Sequence, residues 1–155
     1  MAPGSRPSTP AAPTEGPYLR AAAALRATLA LARQEAIYFR AATDSDGNTL
    51  QGTCTYLIQG ADLPARWWSI TLYGTDHYLI ANPENRYAYA SANVAHEPDG
   101  SFAIHLSPTR QPGNWLDTAN AAKIVLLTRL YQPHAAAAAA PSHIALPSIT
   151  RQSCP

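Results

Sequence analysis

The sequence predicts a mainly β fold, an antiparallel β-sandwich of jelly-roll type with one N-terminal α-helix. Three observations carry that expectation. At least six short apolar runs recur along the chain, several with a period of two. Clusters of Asp, Asn, Gly and Pro separate them. Only one stretch has a convincing helical period.

That stretch is 17–36. Pro17 suits a first helical position, and Ala and Leu, both strong helix formers, dominate the rest of the stretch. Leu25, Leu29, Ala32 and Ala36 recur at i, i+4, i+7 and i+11, which draws one apolar stripe. Arg20, Arg26 and Arg33 fall off it and read as a solvated face. The preceding residues 1–16 are rich in Pro, Ala, Ser and Thr and read as a flexible linker. They have no apolar core of a secretion signal. The single domain is therefore expected over 17–155.

The period then changes. Residues 37–43 read as a strand and 44–49, DSDGNT, as a turn. In 52–60, Cys54, Tyr56 and Ile58 share one face. In 67–74, Trp68, Ile70 and Leu72 face one way, while Trp67, Ser69, Thr71 and Tyr73 face the other. Residues 78–91 hold two short strands around an Asn-Pro turn. EPDG precedes a strand at 101–107, and 123–131 is the last clear strand. The alanine run 135–140 lies between Pro133 and Pro141 and is too short for a stable isolated helix, so it reads as a loop. The final LPSITRQSCP returns to the body.

Composition narrows the function classes. Of 155 residues, 46% are hydrophobic, but 31 of these are alanine. Alanine has little apolar area to bury, so the core is smaller than the percentage suggests and suits one domain. No run of about 18 apolar residues is present to span a bilayer as a helix. Eleven basic and ten acidic residues are mixed along the chain, which argues against nucleic acid as a partner.

Cys54 and Cys154 stand 100 residues apart, without the CxxC spacing of a zinc knuckle or redox pair. A disulfide that ties down the tail is the expected reading, and two unrelated free thiols are the alternative. A disulfide would place the domain in an oxidising compartment.

Catalytic signals are missing. Asp44, Asp46 and Asn48 resemble the start of a calcium loop, but Thr49 and Thr55 stand where that loop needs Gly and Glu. The five histidines have no HxH or HExxH spacing, so no metal site is expected. There is no GxSxG elbow, no phosphate loop and no cofactor motif. What stands out is a set of aromatic, amide and guanidinium side chains: Arg66, Trp67, Tyr73, Asn85, Arg86, Tyr87, Asn114 and Trp115. Aromatic faces with such donors suit a glycan or a small polar ligand. The competing reading is that Trp68, Tyr73 and Trp115 pack in the core or between sheets and that Arg86 and Arg129 fasten loops.

Several strings resemble the family called domain of unknown function 1214. They are Trp67 to Tyr73 (WWSITLY), Asn82 to Tyr87 (NPENRY), Asp99 to Ser107 (DGSFAIHLS), Asn114 to Leu116 (NWL), Arg129 to Pro133 (RLYQP) and Pro147 to Ile149. Order and spacing agree over about 50–151. Asp117 stands where the family has proline, and the alanine run replaces a late Gly-x-Trp region. The resemblance implies a jelly-roll-like sandwich and a short single-domain subgroup of the bacterial envelope. It also implies a periplasmic or envelope location and a membrane link only through a removed or absent N-terminal anchor. A protein of the related domain of unknown function 1254 is the implied partner. It implies no activity. The leading reading is thus an envelope module that binds a small ligand, glycan or partner protein without catalysis. A carbohydrate-active hydrolase or isomerase using Arg86, Asn114, Asp117 or Tyr73 is one alternative. A purely structural subunit beside a 1254-type protein is the other.

Overall fold

A computed structural model describes residues 34–155. The expected linker at 1–16 and residues 17–33 of the helix expected over 17–36 lie outside the described residues. Among the described residues, eight strands are present: β1 (Ala36–Ala41), β2 (Thr55–Gly60), β3 (Ala65–Gly74), β4 (Ala88–Ala90), β5 (Phe102–Ser107), β6 (Asn114–Asp117), β7 (Ile124–Pro133) and β8 (Ser148–Ser153). They form two four-stranded sheets, in the orders β1-β7-β3-β4 and β6-β5-β2-β8. The expected mainly β class is met, with two packed, mainly antiparallel sheets.

Several details differ from expectation. The second sheet is mixed, because β5 and β6 run parallel, with Ile104 opposite Asn114. Strands β6 and β8 cannot be told from loops in the sequence, since four and six residues without a clean apolar alternation leave little period to read. The alanine run contains a one-turn α-helix, α1 (Ala135–Ala139), followed by a 3-10 turn at Pro141–His143. Alanine's helix propensity suffices here because the ends are held by β7 and β8 and Ala137 is buried. Ala36, expected as the last residue of the N-terminal helix, opens β1 instead.

The core lies between the sheets. Ile37, Phe39, Trp68, Ile70, Leu72, Leu126 and Leu130 come from the first, and Tyr56, Ile58, Phe102, Ile104, Leu106 and Leu116 from the second. Trp68 stacks on Phe102 across the interface, with ring centroids 4.9 Å apart. The expected faces of β2 and β3 are therefore the observed core faces.

The two sheets differ on their outer sides. Strands β2 and β5 largely alternate buried and less buried positions, as a sheet open to solvent on one face does. In the first sheet, Ala36–Phe39, Trp68–Leu72 and Ile124–Leu127 are buried without a break.

Two links fasten the C-terminus. Cys54 and Cys154 form the expected disulfide, with Cα atoms 4.3 Å apart. The DSDGN segment is a turn: Asp44 Oδ1 accepts from the backbone N–H groups of Asp46 (3.0 Å) and Asn48 (2.9 Å). Its other oxygen, Oδ2, meets Arg151 of β8 at 3.3 Å.

Candidate ligand-binding site

The eight expected site residues fall into three places. Arg66 and Trp67 begin β3 and sit beside Tyr131 and Gln132 of β7. The depression there is about 680 Å³, and Gln34 and Glu35, the first residues described, also line it. Trp67 and Tyr131 pack as a tilted pair at 5.3 Å, and Arg66 donates from Nη1 to Gln132 Oε1 at 3.1 Å.

Tyr73 belongs to the outer face of the first sheet. Arg129 donates from Nη2 to its hydroxyl (2.8 Å) and from Nη1 to Thr71 Oγ1 (3.0 Å). That occupied guanidinium is a structural tie between β7 and β3. Nearby, Tyr38 and Tyr131 meet edge to face at 6.3 Å. Burial first, then the Tyr131 phenol, pushes the Tyr38 phenol up to about 12.

The third place brings Arg86 and Trp115 together. It lies where β4, the last strand of one sheet, meets β6, the first of the other. The backbone N–H of Trp115 donates to the Tyr89 hydroxyl at 3.0 Å and joins these two edges. Trp115 is held further by its indole N–H, which donates to the Ser107 carbonyl at 3.0 Å. The Asn82–Arg86 loop is closed by Asn82, whose Nδ2 donates to the carbonyls of Ile80 (3.0 Å) and Arg86 (3.1 Å). Asn85 takes a left-handed conformation, φ 50°, which asparagine tolerates better than most residues. Tyr87 donates from its hydroxyl to Asn85 Oδ1 at 3.2 Å, so both stiffen the loop.

The result is a polar cleft of about 170 Å³ lined by Asn82, Glu84, Arg86, Tyr89, Arg110, Gln111, Gly113, Trp115 and Asp117. Arg86 lies over the Tyr89 ring with Cζ 4.9 Å from the centroid. Arg110 lies 5.6 Å from the Trp115 ring and pairs with Glu84. Among the described residues, Arg86 has no carboxylate within ion-pair distance.

Asn114 is close in sequence but serves the fold. Its Nδ2 donates to the carbonyls of Ala95 (2.8 Å) and Ala103 (2.9 Å), and its Oδ1 accepts from Ala95 N–H at 2.9 Å. Both amide hydrogens are thereby used, and the side chain is buried. Asp117 lines the cleft, with Oδ1 accepting from Ala119 N–H at 2.7 Å. Glu84, Arg110 and Gln111 join the site without having been expected there. Arg110 and Gln111 sit in the SPTRQPG connection, and only the pairing of two sheet edges brings them to Arg86.

The model of the family described as Protein of unknown function (DUF1214) matches residues 35–135, well over half of the chain. This chain belongs to the DUF1214 family. Its fold is similar to that of the VPA0106 protein from Vibrio parahaemolyticus, with a TM-score of 0.74 and 22% identity. The likeness covers 87% of this chain and 35% of that one. An uncharacterised protein from Burkholderia cenocepacia is similar at a TM-score of 0.50 and 20% identity, over 78% of this chain and 31% of that one. This chain thus spans about a third of the length of these solved structures. No curated protein matches it.

Proposed function

We propose that this DUF1214 domain is a binding module of the bacterial envelope that recognises a small acidic group through the Arg86 cleft, without catalysis. The observation that carries the reading is the Arg86 guanidinium. It is held over Tyr89 at 4.9 Å, lines a polar cleft and forms no ion pair among the described residues. A guanidinium presents a planar fork that matches a carboxylate or phosphate. Arg110 adds a second cation, partly neutralised by Glu84.

Size narrows the ligand. Sites for drug-sized molecules enclose roughly 300–1,000 Å³, and this cleft holds about 170 Å³. It suits one terminal sugar of a glycan or one acidic side chain of a partner, and a 1254-type protein is the partner to test. An envelope location fits the Cys54–Cys154 bond, which an oxidising compartment sustains.

An NMR titration with glucuronate and with glucose tests this reading. Glucuronate is expected to shift the resonances of Arg86, Arg110 and Trp115, and glucose much less. Arg86→Gln should weaken glucuronate binding about tenfold or more, the loss of one charged hydrogen-bonding partner, with an unchanged folded spectrum. Equal responses to both sugars, or an unchanged response in Arg86→Gln, would refute the assignment.

A further inference from the structure

Two charged groups of the Arg86 cleft have no ion-pair partner among the described residues, and they are opposite in sign. Arg110 and Glu84 pair with each other at 2.5 Å. That leaves the Arg86 guanidinium and the Asp117 carboxylate. Both line the cleft, yet they are not within ion-pair distance of each other. Two arginines and two acids in the lining balance, so the cleft is not a general trap for anions.

The strand and the turn after it hold Asp117 in place. In β6, Asn114 and Leu116 are buried, while Trp115 and Asp117 are partly exposed on the opposite face. Asp117 is thus presented on the side of the strand that carries Trp115. Its neighbours Leu116 and Thr118 are both fully buried, which anchors the backbone on either side of it. Oδ1 accepts the Ala119 N–H at 2.7 Å and so orients the carboxylate. Oδ2 has no hydrogen-bond partner among the described residues.

An oriented carboxylate oxygen attracts hydroxyl donors and repels a second acid. A hydrogen bond from a hydroxyl to a carboxylate is about twice as strong as one between neutral groups. A plain acid meets Arg86 alone. An acid that also carries hydroxyls can engage Arg86 and Asp117 together.

We propose that Asp117 Oδ2 is a hydroxyl acceptor that makes the cleft select sugar acids of the uronate class over plain carboxylic acids. This selection rests on Arg86 as the acid-binding group. It supplies what Arg86 cannot, because the guanidinium fork matches any carboxylate. A polar group that the wrong ligand leaves unpaired counts against that ligand.

Titration of the full chain with glucuronate and with cyclohexanecarboxylate, a six-membered ring acid without hydroxyls, tests the role of Asp117. The wild type should prefer glucuronate by about tenfold, the worth of one hydrogen bond to a charged group. Asp117→Asn keeps an oxygen for the Ala119 N–H and puts a donating amide in place of Oδ2. Its preference should fall to about twofold or less. Cyclohexanecarboxylate should bind the variant no more weakly than the wild type, since a negative charge near the ligand acid is gone. Weakening of both acids together would show a merely structural role for Asp117 and overturn the proposal, as would an unchanged preference. Equal wild-type affinities for the two acids would overturn it and leave the Arg86 reading standing. No response to either acid would overturn both. Tighter binding of β-alanine than of glucuronate would assign Asp117 to an ammonium group and overturn the hydroxyl assignment.

Discussion

Arg151 Nη2 stands 3.3 Å from Asp44 Oδ2, and this pair ties the last strand to the first turn. The Asp44 side chain is almost wholly enclosed, while Arg151 keeps about a third of its surface in water. Its guanidinium also lies 5.9 Å from the Tyr56 ring. A buried carboxylate that loses its cation keeps the full cost of leaving water, so the two single substitutions should not be equivalent.

Arg151→Ala strands the charge of Asp44 and is expected to cost about 2–4 kcal/mol. Replacing both residues, Asp44→Asn with Arg151→Ala, should cost less than the sum of the single changes by about 1–2 kcal/mol. Urea unfolding of the four proteins gives the coupling directly. Additive costs would show that the pair contributes no interaction of its own.

The Cys54–Cys154 bond closes a separation of 100 residues. Loop closure of that length is worth at most about 4.7 kcal/mol in the chain-entropy account. Replacing both cysteines by alanine is expected to cost about 2–5 kcal/mol in denaturant unfolding. Intact mass checks the bond itself. Under denaturing, non-reducing conditions an alkylating reagent should leave the mass unchanged, and prior reduction should allow two additions.

Tyr38 makes the outer face of the first sheet sensitive to alkali. Its phenol is held at about 12 by burial and by Tyr131, above the ordinary value of about 10 in an unfolded chain. Between these values the unfolded state releases a proton that the folded state keeps. Its contribution is complete below about pH 10 and is lost as pH rises through about 12. Tyr38→Phe should therefore flatten the decline in stability over that window by about 2 kcal/mol. Denaturation midpoints of both proteins across the window measure it. Parallel curves would place the alkaline loss in other groups.

Much of this was legible in the sequence, for a local reason. The alternation in 52–60 and 67–74 places Tyr56, Ile58, Trp68, Ile70 and Leu72 in the core, and all five are there. DSDGN reads as a turn because Asp and Gly supply its dihedrals locally, and Gly47 does take φ 88°. β6 and β8 were not legible because their pairing partners, not their own patterns, make them strands.

The candidate site divides along the same line. Arg86 and Trp115 can be singled out by residue type. Nothing local separates Asn114, whose amide is consumed by Ala95 and Ala103, from a ligand-binding asparagine. Nor does sequence distance reveal that Arg110 and Glu84 pair across a cleft.

The sequence alone determined the β class, the core faces of the longer strands, the DSDGN turn and the family. Each of these is written in short-range periodicity, turn chemistry or contiguous motifs. Only the tertiary structure decided which sheet edges meet, which guanidiniums the fold consumes and that Arg86 lines a cleft without an ion pair among the described residues. Those outcomes depend on partners far apart in the chain, such as Asp44 with Arg151 and Tyr89 with Trp115, which only the packed sheets bring within hydrogen-bonding reach.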